Sequence, residues 1–200
     1  MTANPPRVRR PFTAAEFWQM VDLGFFRDQR VELIGGEVVP VASQSNWHSF
    51  VIEKMTRELR RVFPDADYWV RAQFSLNATP HSVVDPDVAV IPGGVDSHPR
   101  RKVPAMAILV VEVSETTVAD DRSRKASLYA AAGIADYWVI DVTRRQIEVR
   151  RDPRPDAAAE FGAAYVAVTT HADGLVVPLA APAGGGVNVA AVLAIEEDEP

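Results

Sequence analysis

The fold of this chain is decided by two stretches, SVVDPDVAVI (82–91) and AILVVEVSETTVADDRSRKASLYAAAGIADYWVID (107–141), which a loop separates. Each contains a strand-like apolar run with an acidic residue inside it, Asp87 in the first and Glu112 in the second. A carboxylate in such a strand is costly to desolvate unless a positive partner compensates its charge. The pattern therefore predicts a site where a metal ion or Lys125 balances the two acids.

The second stretch predicts a strand, a helix and another strand. AMAILVVEVS (105–114) is almost entirely apolar, as expected for a strand covered on both faces. DDRSRKASLYAAAG (120–133) begins with acidic residues and ends at a glycine, which favours a helix, and ADYWVID (135–141) is another buried strand. This order indicates a parallel, right-handed crossover, so we expect an α/β sheet with acidic groups on its two middle strands.

The residues before this core predict two helices and a hairpin. Thr13 and Glu16 form a capping-box pattern at the start of a helix over 13–24. Its apolar face is predicted to hold Phe17, Met20 and Val21. The next elements are a hairpin of 30–34 with 37–42 around two glycines, a helix over 44–63 with Phe50 among its apolar positions, a strand over 68–76 and a turn over 77–81.

The residues after the core predict a smaller β region. RRQIEVRRD (144–152) alternates basic and apolar residues and is interpreted as an exposed edge strand. A Pro/Ala/Asp loop is expected over 152–163. The remaining predicted elements are a final meander of the strands 165–170 and 175–179, and a short closing helix over 187–194.

Composition limits the class of protein. The 200 residues are 48% hydrophobic and 24% charged, which suits one packed domain over 12–195, between a flexible arm (1–11) and an acidic tail (196–200). The net charge of −6 argues against broad nonspecific binding to nucleic acid. Without cysteine there is no disulfide framework and no thiolate site. No signal-peptide or membrane-spanning run is evident, so we expect a cytoplasmic protein without membrane contact.

The two acids have a defined chemistry if their strands are neighbours. Asp87 and Glu112 would then meet at one edge of the sheet. Two carboxylates and a backbone carbonyl suit a hard cation such as Mg²⁺, which prefers oxygen ligands and retains waters. Such an ion lowers the pKa of a bound water and orients a phosphodiester, and a nearby lysine helps to neutralise the phosphate.

The sequence resembles the Uma family, which belongs to the restriction-endonuclease-like PD-(D/E)XK nuclease superfamily. The resemblance covers roughly 12–150. It rests on five segments: VELIGGEVV (31–39), WHSFVIEKMTREL (47–59), VVDPDVAV (83–90), LVVEVSETTVADDRSRKASLY (109–129) and AGIADYWVID (132–141). It implies a mixed sheet with an α-β-β-β-α-β core, here with an N-terminal helix and hairpin and a C-terminal β-meander.

The resemblance also implies a set of site residues. Pro86-Asp87 corresponds to the PD element, and Glu112-Val113-Ser114 to the (D/E)XK element. Ser114 stands where the superfamily lysine usually stands, and Lys125 on the following helix is the matching position of a migrated lysine. The implied roles are Mg²⁺ ligands (Asp87, Glu112 and the Val113 carbonyl, with Mn²⁺ as an alternative ion), a lysine that assists the nucleophile (Lys125), a supporting acid (Glu32), a recurrent histidine (His48) and a tyrosine on the lysine's side of the helix (Tyr129).

The resemblance implies a nucleic-acid substrate, with DNA expected. Candidate phosphate contacts lie in the loop between the two acidic strands and beside the lysine: Arg100, Arg101, Lys102, Arg122 and Arg124. Many enzymes of this fold pair two subunits to cut both strands. A homodimer through the edge 145–151 is therefore a further hypothesis.

Several alternatives stay open on the sequence alone. Asp87 could hydrogen-bond at a strand end, Glu112 could form a buried ion pair with an arginine, and Lys125 could be an ordinary exposed helix lysine. Glu32 could face solvent, and His48 could make a local hydrogen bond at a helix start. For the whole chain, the alternatives are a non-catalytic module that kept the fold and lost the chemistry, and a hydrolase of small phosphoesters.

Overall fold

The computed structural model describes residues 10–41, 43–100, 102–182 and 185–194. Most of the predicted arm, Arg101 and the predicted acidic tail lie outside these residues. None of the helices within the described part of the chain is long and apolar enough to cross a membrane.

Six strands form the main sheet, in the order β10-β9-β8-β7-β6-β3. Strands β7 and β8 are parallel, whereas the other neighbours are antiparallel. The predicted crossover is thus present, and β6 and β7 are adjacent. The strands are β3 (Tyr68–Ala72), β6 (Val88–Pro92), β7 (Leu109–Ser114), β8 (Asp136–Asp141), β9 (Gln146–Pro155) and β10 (Ala163–His171).

Four short strands form a small sheet, in the order β2-β1-β5-β4. They are β1 (Val31–Ile34), β2 (Glu37–Pro40), β4 (Leu76–Thr79) and β5 (Ser82–Val84). The first two form the predicted hairpin. A further pair, β11 (Leu175–Val176) with β12 (Val187–Asn188), lies apart from both sheets, so the predicted meander is wrong at its second strand.

The helices cover both faces of the main sheet. The helix α3 has three consecutive parts, of which the middle one is a π-helical turn. Helices α2 and α4 pack on one face, while α3 and the small sheet pack on the other. The helices are α1 (Ala14–Asp22), α2 (Asn46–Val62), α3 (Val118–Asp120, Asp121–Lys125 and Ala126–Ala131) and α4 (Val189–Leu193), with a short 3-10 turn at Val95–Ser97.

The predicted strand over 82–91 is divided between the two sheets. Its first part is β5 of the small sheet, and its second part is β6 of the main sheet. Pro86 has no N–H to donate and restricts the residue before it, so a strand ladder ends there. Asp87 consequently lies on the link between the two sheets. The predicted turn over 77–81 is shorter than expected, since β4 includes 76–79.

The predicted edge strand over 144–152 is wrong. Strand β9 has β8 on one side and β10 on the other, and it extends to Pro155 into the predicted loop. Its basic residues made it look exposed, but Arg150 pairs with Glu148 and Arg151 with Asp136. The edge 145–151 is therefore not available for pairing two subunits. The outer strand on this side of the sheet is β10.

Two apolar positions predicted for the core lie at the surface. Phe50 on α2 is 45% exposed and stacks on Trp47, and Val21 on α1 is also exposed. The other predicted apolar positions of α2 and the strand residues of 109–113 are buried against the sheet. Strand β7 is therefore covered on both faces, as its continuous apolar run predicts.

Loss of the α1 cap is expected to destabilise the protein by about 1 kcal/mol. The Thr13 hydroxyl accepts a hydrogen bond from the Glu16 amide at 3.2 Å, and the Glu16 carboxylate accepts one from the Thr13 amide at 2.9 Å. Thr13→Ala removes the first of these bonds. Urea denaturation measures the effect. Thr116→Ala, at an exposed loop position, is the control, and equal midpoints for the two variants would show that the cap contributes nothing.

Candidate active site

A cleft of about 350 Å³ opens where the main sheet meets the small sheet. Its walls come from both sheets, from the start of α2 and from the first turns of α3. The charged and amide side chains that line it are Arg30, Glu32, Gln44, His48, Asp85, Asp87, Glu112, Glu115, Asp120, Asp121, Arg124 and Lys125. Most of the predicted site residues therefore share one cavity.

Asp87 is 5% exposed and holds the link between the sheets against β7. Its Oδ2 accepts a hydrogen bond of 2.8 Å from the backbone N–H of Val113, one strand away. Its Oδ1 lies 3.1 Å from His48 Nε2 and 3.3 Å from Gln44 Nε2. The carboxylate thus makes a structural hydrogen bond and also faces the cleft. His48 begins α2 as expected, and its ring contacts this acid.

Glu112 is 2% exposed, and its side chain leaves β7 on the face covered by α3. Its Oε1 accepts hydrogen bonds from Lys125 Nζ at 3.1 Å and from the Tyr129 hydroxyl at 2.7 Å. Its Oε2 lies 3.4 Å from the backbone nitrogen of Asp87. Burial raises the pKa of Glu112 well above its usual range, and the nearby acids add to this rise while Lys125 opposes it.

Lys125 ends the π-helical turn of α3, in the second turn of the helix. A π turn contains one residue more than the α-helical path and changes the direction of the side chains around it. Lys125 and Tyr129 here both reach Glu112. Burial by itself would lower the pKa of Lys125, but the surrounding carboxylates, Glu112 foremost, raise it overall. Lys125 is not an ordinary exposed helix lysine.

Asp121 is a site residue that sequence reasoning missed, because it was interpreted as a helix-start residue. It is buried, and its carboxylate accepts hydrogen bonds from Ser114 Oγ and, at 2.7 Å, from Thr117 Oγ1. Lys125 Nζ lies 3.9 Å from its other oxygen. Burial raises the pKa of Asp121, while Lys125 opposes the rise. The spacing of four residues between Asp121 and Lys125 was the available signal.

Glu32 faces the cleft and not solvent. Its Oε1 accepts a hydrogen bond of 2.8 Å from the backbone N–H of Asp85, which ties the small sheet to the link between the sheets. Burial raises the pKa of Glu32, and the charge of Lys125 opposes this rise. Asp85 itself pairs with Arg30 at 3.5 Å.

Two glutamines also surround Asp87 and were not predicted. Gln73 Nε2 lies 2.6 Å from Gln44 Oε1 and 3.5 Å from Asp87 Oδ1. Gln73 follows β3 directly and has a φ of 55°, so the chain turns there and leads the side chain toward the acid. No residue type or spacing in the sequence signals this contact, because it joins positions far apart in the chain.

The predicted phosphate contacts are divided by the structure. Arg122 pairs with Glu148 at 3.0 Å, and Arg124 pairs with Glu160 at 3.0 Å, so both have carboxylate partners. Arg124 alone of the two lines the cleft. Arg100 and Lys102 are exposed in the loop after β6, outside the cleft, and Arg101 lies outside the described residues.

The buried charges of the cleft are mostly negative. Four buried carboxylates surround one ammonium group: Glu32, Asp87, Glu112 and Asp121 around Lys125. Within the described ranges, no three or more histidine, cysteine or acidic side chains are grouped so that they could hold a metal ion. Mg²⁺ is commonly bound through one or two carboxylates with several waters retained, so the oxygen donors of Asp87 and Glu112, with the Val113 carbonyl, fit its preferences.

The mixed sheet, with Glu112 on β7, Asp87 directly before the antiparallel neighbour β6 and a crossover helix over one face, defines a restriction-endonuclease-like fold. A solved structure titled as a putative nuclease belonging to DUF820 from Anabaena variabilis shares it, with a TM-score of 0.62 at 16% identity, over 92% of this chain and 98% of that chain. Residues 14–185 match the Uma2 family, described as "Putative restriction endonuclease", and the chain belongs to this family. The resemblance inferred from the sequence is thereby confirmed. No curated protein sequence matches the chain.

Proposed function

We propose that the chain is a metal-dependent endonuclease that hydrolyses phosphodiester bonds of DNA. Membership of the Uma2 family supports a nuclease function in general. The observation that carries the finer proposal is the meeting of Asp87 and Glu112, from the link between the sheets and from β7, in one cleft with the Lys125 ammonium 3.1 Å from Glu112. Oxygen donors beside a buried lysine suit phosphoryl chemistry.

The residues of the cleft have distinct roles in this proposal. Asp87 and Glu112, with the Val113 carbonyl, hold the ion, which when bound supplies a water of lowered pKa and positive charge for the phosphate oxygens. His48 and Tyr129 each contact one carboxylate and so fix the direction of its oxygens. Lys125 donates to a phosphate oxygen or to the attacking water. Glu32 keeps the small sheet in place against the link between the sheets.

The test is cleavage of supercoiled plasmid and of single-stranded DNA with Mg²⁺, with Mn²⁺, and with EDTA. Metal-dependent nicking or linearisation by the purified wild-type chain is the expected result. A panel of small phosphoesters in the same buffers separates a nuclease from a small-molecule phosphoesterase. Inert protein with every metal, together with no heat of metal binding in calorimetry, would overturn the proposal.

Lys125→Met is expected to lower the cleavage rate by about 100-fold or more while metal binding is retained. The variant removes the donor beside the reacting phosphate, but leaves both carboxylates in place. It also removes a cation that shares Glu112, so the affinity for Mg²⁺ in calorimetry should stay equal or rise. The control is Lys54→Met, since Lys54 is a buried lysine on α2 outside the cleft. Equal rates for the two variants would remove Lys125 from the mechanism.

Two contacts favour a second candidate function, that of a non-catalytic binding module. Lys125 already balances part of the charge of Glu112. Ser114, at the usual lysine position, donates a hydrogen bond to Asp121. A cleft whose carboxylates have such partners within the protein needs no metal ion to balance them. Calorimetry distinguishes the two functions, because the module predicts no metal binding that depends on Asp87.

A further inference from the structure

A second hollow, of about 440 Å³, lies between β3 and the loop that follows β6. Trp69 and Arg71 are two residues apart on this edge strand, so their side chains share one face. The Arg71 guanidinium lies 4.3 Å from the ring centre of Trp69 and 5.1 Å from that of Phe74. Phe74 is 58% exposed, so one large aromatic surface remains open to a ligand.

The guanidinium of Arg71 is poorly satisfied where it lies. Its Nε is buried without a hydrogen-bond partner, its Nη1 makes only a long contact of 3.4 Å to the Ser75 carbonyl, and no described carboxylate lies within ion-pair distance. Burial lowers the pKa of Arg71, and the charge of Asp85 only partly opposes this. The two aromatic rings already provide stacking, but a buried cation also needs hydrogen-bond acceptors, and a ligand could supply one.

The hollow also has a basic rim, and the chain segment that lines it continues to a residue in contact with Asp87. Arg100 and Lys102 are exposed at its border, on a chain whose net charge is −6. Gln73 contacts Asp87, and the next residue, Phe74, lines the hollow. Consecutive Cα atoms are about 3.8 Å apart, so the two sites are adjacent. A strand whose phosphate lies at Asp87 would bring a neighbouring base to Phe74.

We propose that this hollow binds an unpaired nucleobase of the substrate strand, next to the phosphate that is cut. Phe74 and the Trp69–Arg71 pair provide the stacking surface, and Arg100 and Lys102 contact the phosphates. The proposal rests on the proposed nuclease function and adds to it a preference for single-stranded or locally opened DNA. Stacking on an aromatic ring needs no particular base, so the site reads strandedness rather than sequence.

The test measures binding by fluorescence anisotropy in EDTA, where nothing is cut. The probes are a short labelled oligothymidylate and an abasic deoxyribose-phosphate strand of equal length. Wild type is expected to bind the oligothymidylate about tenfold more tightly than the abasic strand, and Phe74→Ala to lose this difference. Phe74→Leu, which keeps apolar bulk, should lose it too, whereas Phe74→Trp should keep it.

Two controls isolate the stacking surface. Phe25→Ala removes an aromatic ring of matched exposure, 67%, outside this hollow, and should bind as wild type does. Arg100→Ala with Lys102→Ala should weaken binding of both strands equally and reduce its salt dependence. Equal affinity of wild type for both strands, or unchanged binding by Phe74→Ala, would overturn the inference. Base-dependent binding without any metal-dependent cleavage would keep the hollow as a nucleobase site and remove the nuclease function.

Discussion

Asp87→Asn is expected to lower metal-dependent DNA cleavage by about 1,000-fold or more. The substitution keeps the size of the side chain but removes a charged oxygen from the proposed ion site. Charge stabilisation by a bound ion contributes several kcal/mol to such reactions, and each 1.4 kcal/mol is a factor of ten in rate. Glu112→Gln should have a similar effect. The double variant should be little worse than either, because the two residues act as one unit.

The control for these variants is Asp120→Asn, since Asp120 is an exposed carboxylate that lines the same cleft at the start of α3. Its cleavage rate should stay within a few-fold of wild type. Circular dichroism and urea midpoints show whether each variant is folded, and calorimetry shows whether it binds Mg²⁺. Undiminished cutting by folded Asp87→Asn protein would place the reacting centre elsewhere.

Asp136→Asn is expected to destabilise the protein by about 3–5 kcal/mol. The Asp136 side chain is fully buried at the start of β8. Its Oδ1 accepts hydrogen bonds of 2.8 Å from both Trp138 Nε1 and Arg151 Nε, and its Oδ2 accepts one of 2.8 Å from the backbone N–H of Leu179. An asparagine leaves the arginine without its countercharge and presents an amide N–H to one of these donors. Urea denaturation at neutral pH measures the loss.

Asp152→Asn is the matched control on the neighbouring strand. Asp152 pairs with Arg154 at 2.8 Å, but both side chains are exposed, and surface ion pairs of this kind contribute little. Asparagine also tolerates the φ of 57° found at this position. The free energy of unfolding should change by about 0.5 kcal/mol or less. A loss for Asp136→Asn no larger than for its control would show that the buried network is not required.

Patterns within short stretches of sequence predicted the strands and the crossover helix of the core. The continuous apolar run of β7 and the helix that follows it identified the parallel crossover, since burial on both faces leaves a strand no polar positions. Asp87 and Glu112 stood out for the same reason, as charges placed where desolvation is costly. Packing of α3 against β7 then brings Lys125 Nζ within 3.1 Å of Glu112 Oε1.

Contacts between distant segments were not predictable in this way. Gln73 reaches Asp87 because β3 pairs with β6 so that Ala72 lies opposite Val88, and nothing in the local sequence encodes that pairing. The arginines of β9 indicate a solvated edge strand on the sequence alone, yet acids on β8 and on β9 itself pair with them. Ser114 was noted as a missing lysine, but its hydrogen bond to Asp121 depends on the π turn that follows.

The division of residues 82–91 between two sheets has a consequence for how the cleft can open by local unfolding. The acids that line it belong to separate units of structure, with Glu32 in a sheet of four short strands and Glu112 in the six-stranded one. Small units with few strands open locally at lower free energy than the rest of a protein. Fraying of the four-stranded unit would move Glu32 away from the other three buried carboxylates while the crossover stays intact. The free energy of opening of the four-stranded sheet therefore limits how long the complete set of buried carboxylates stays together.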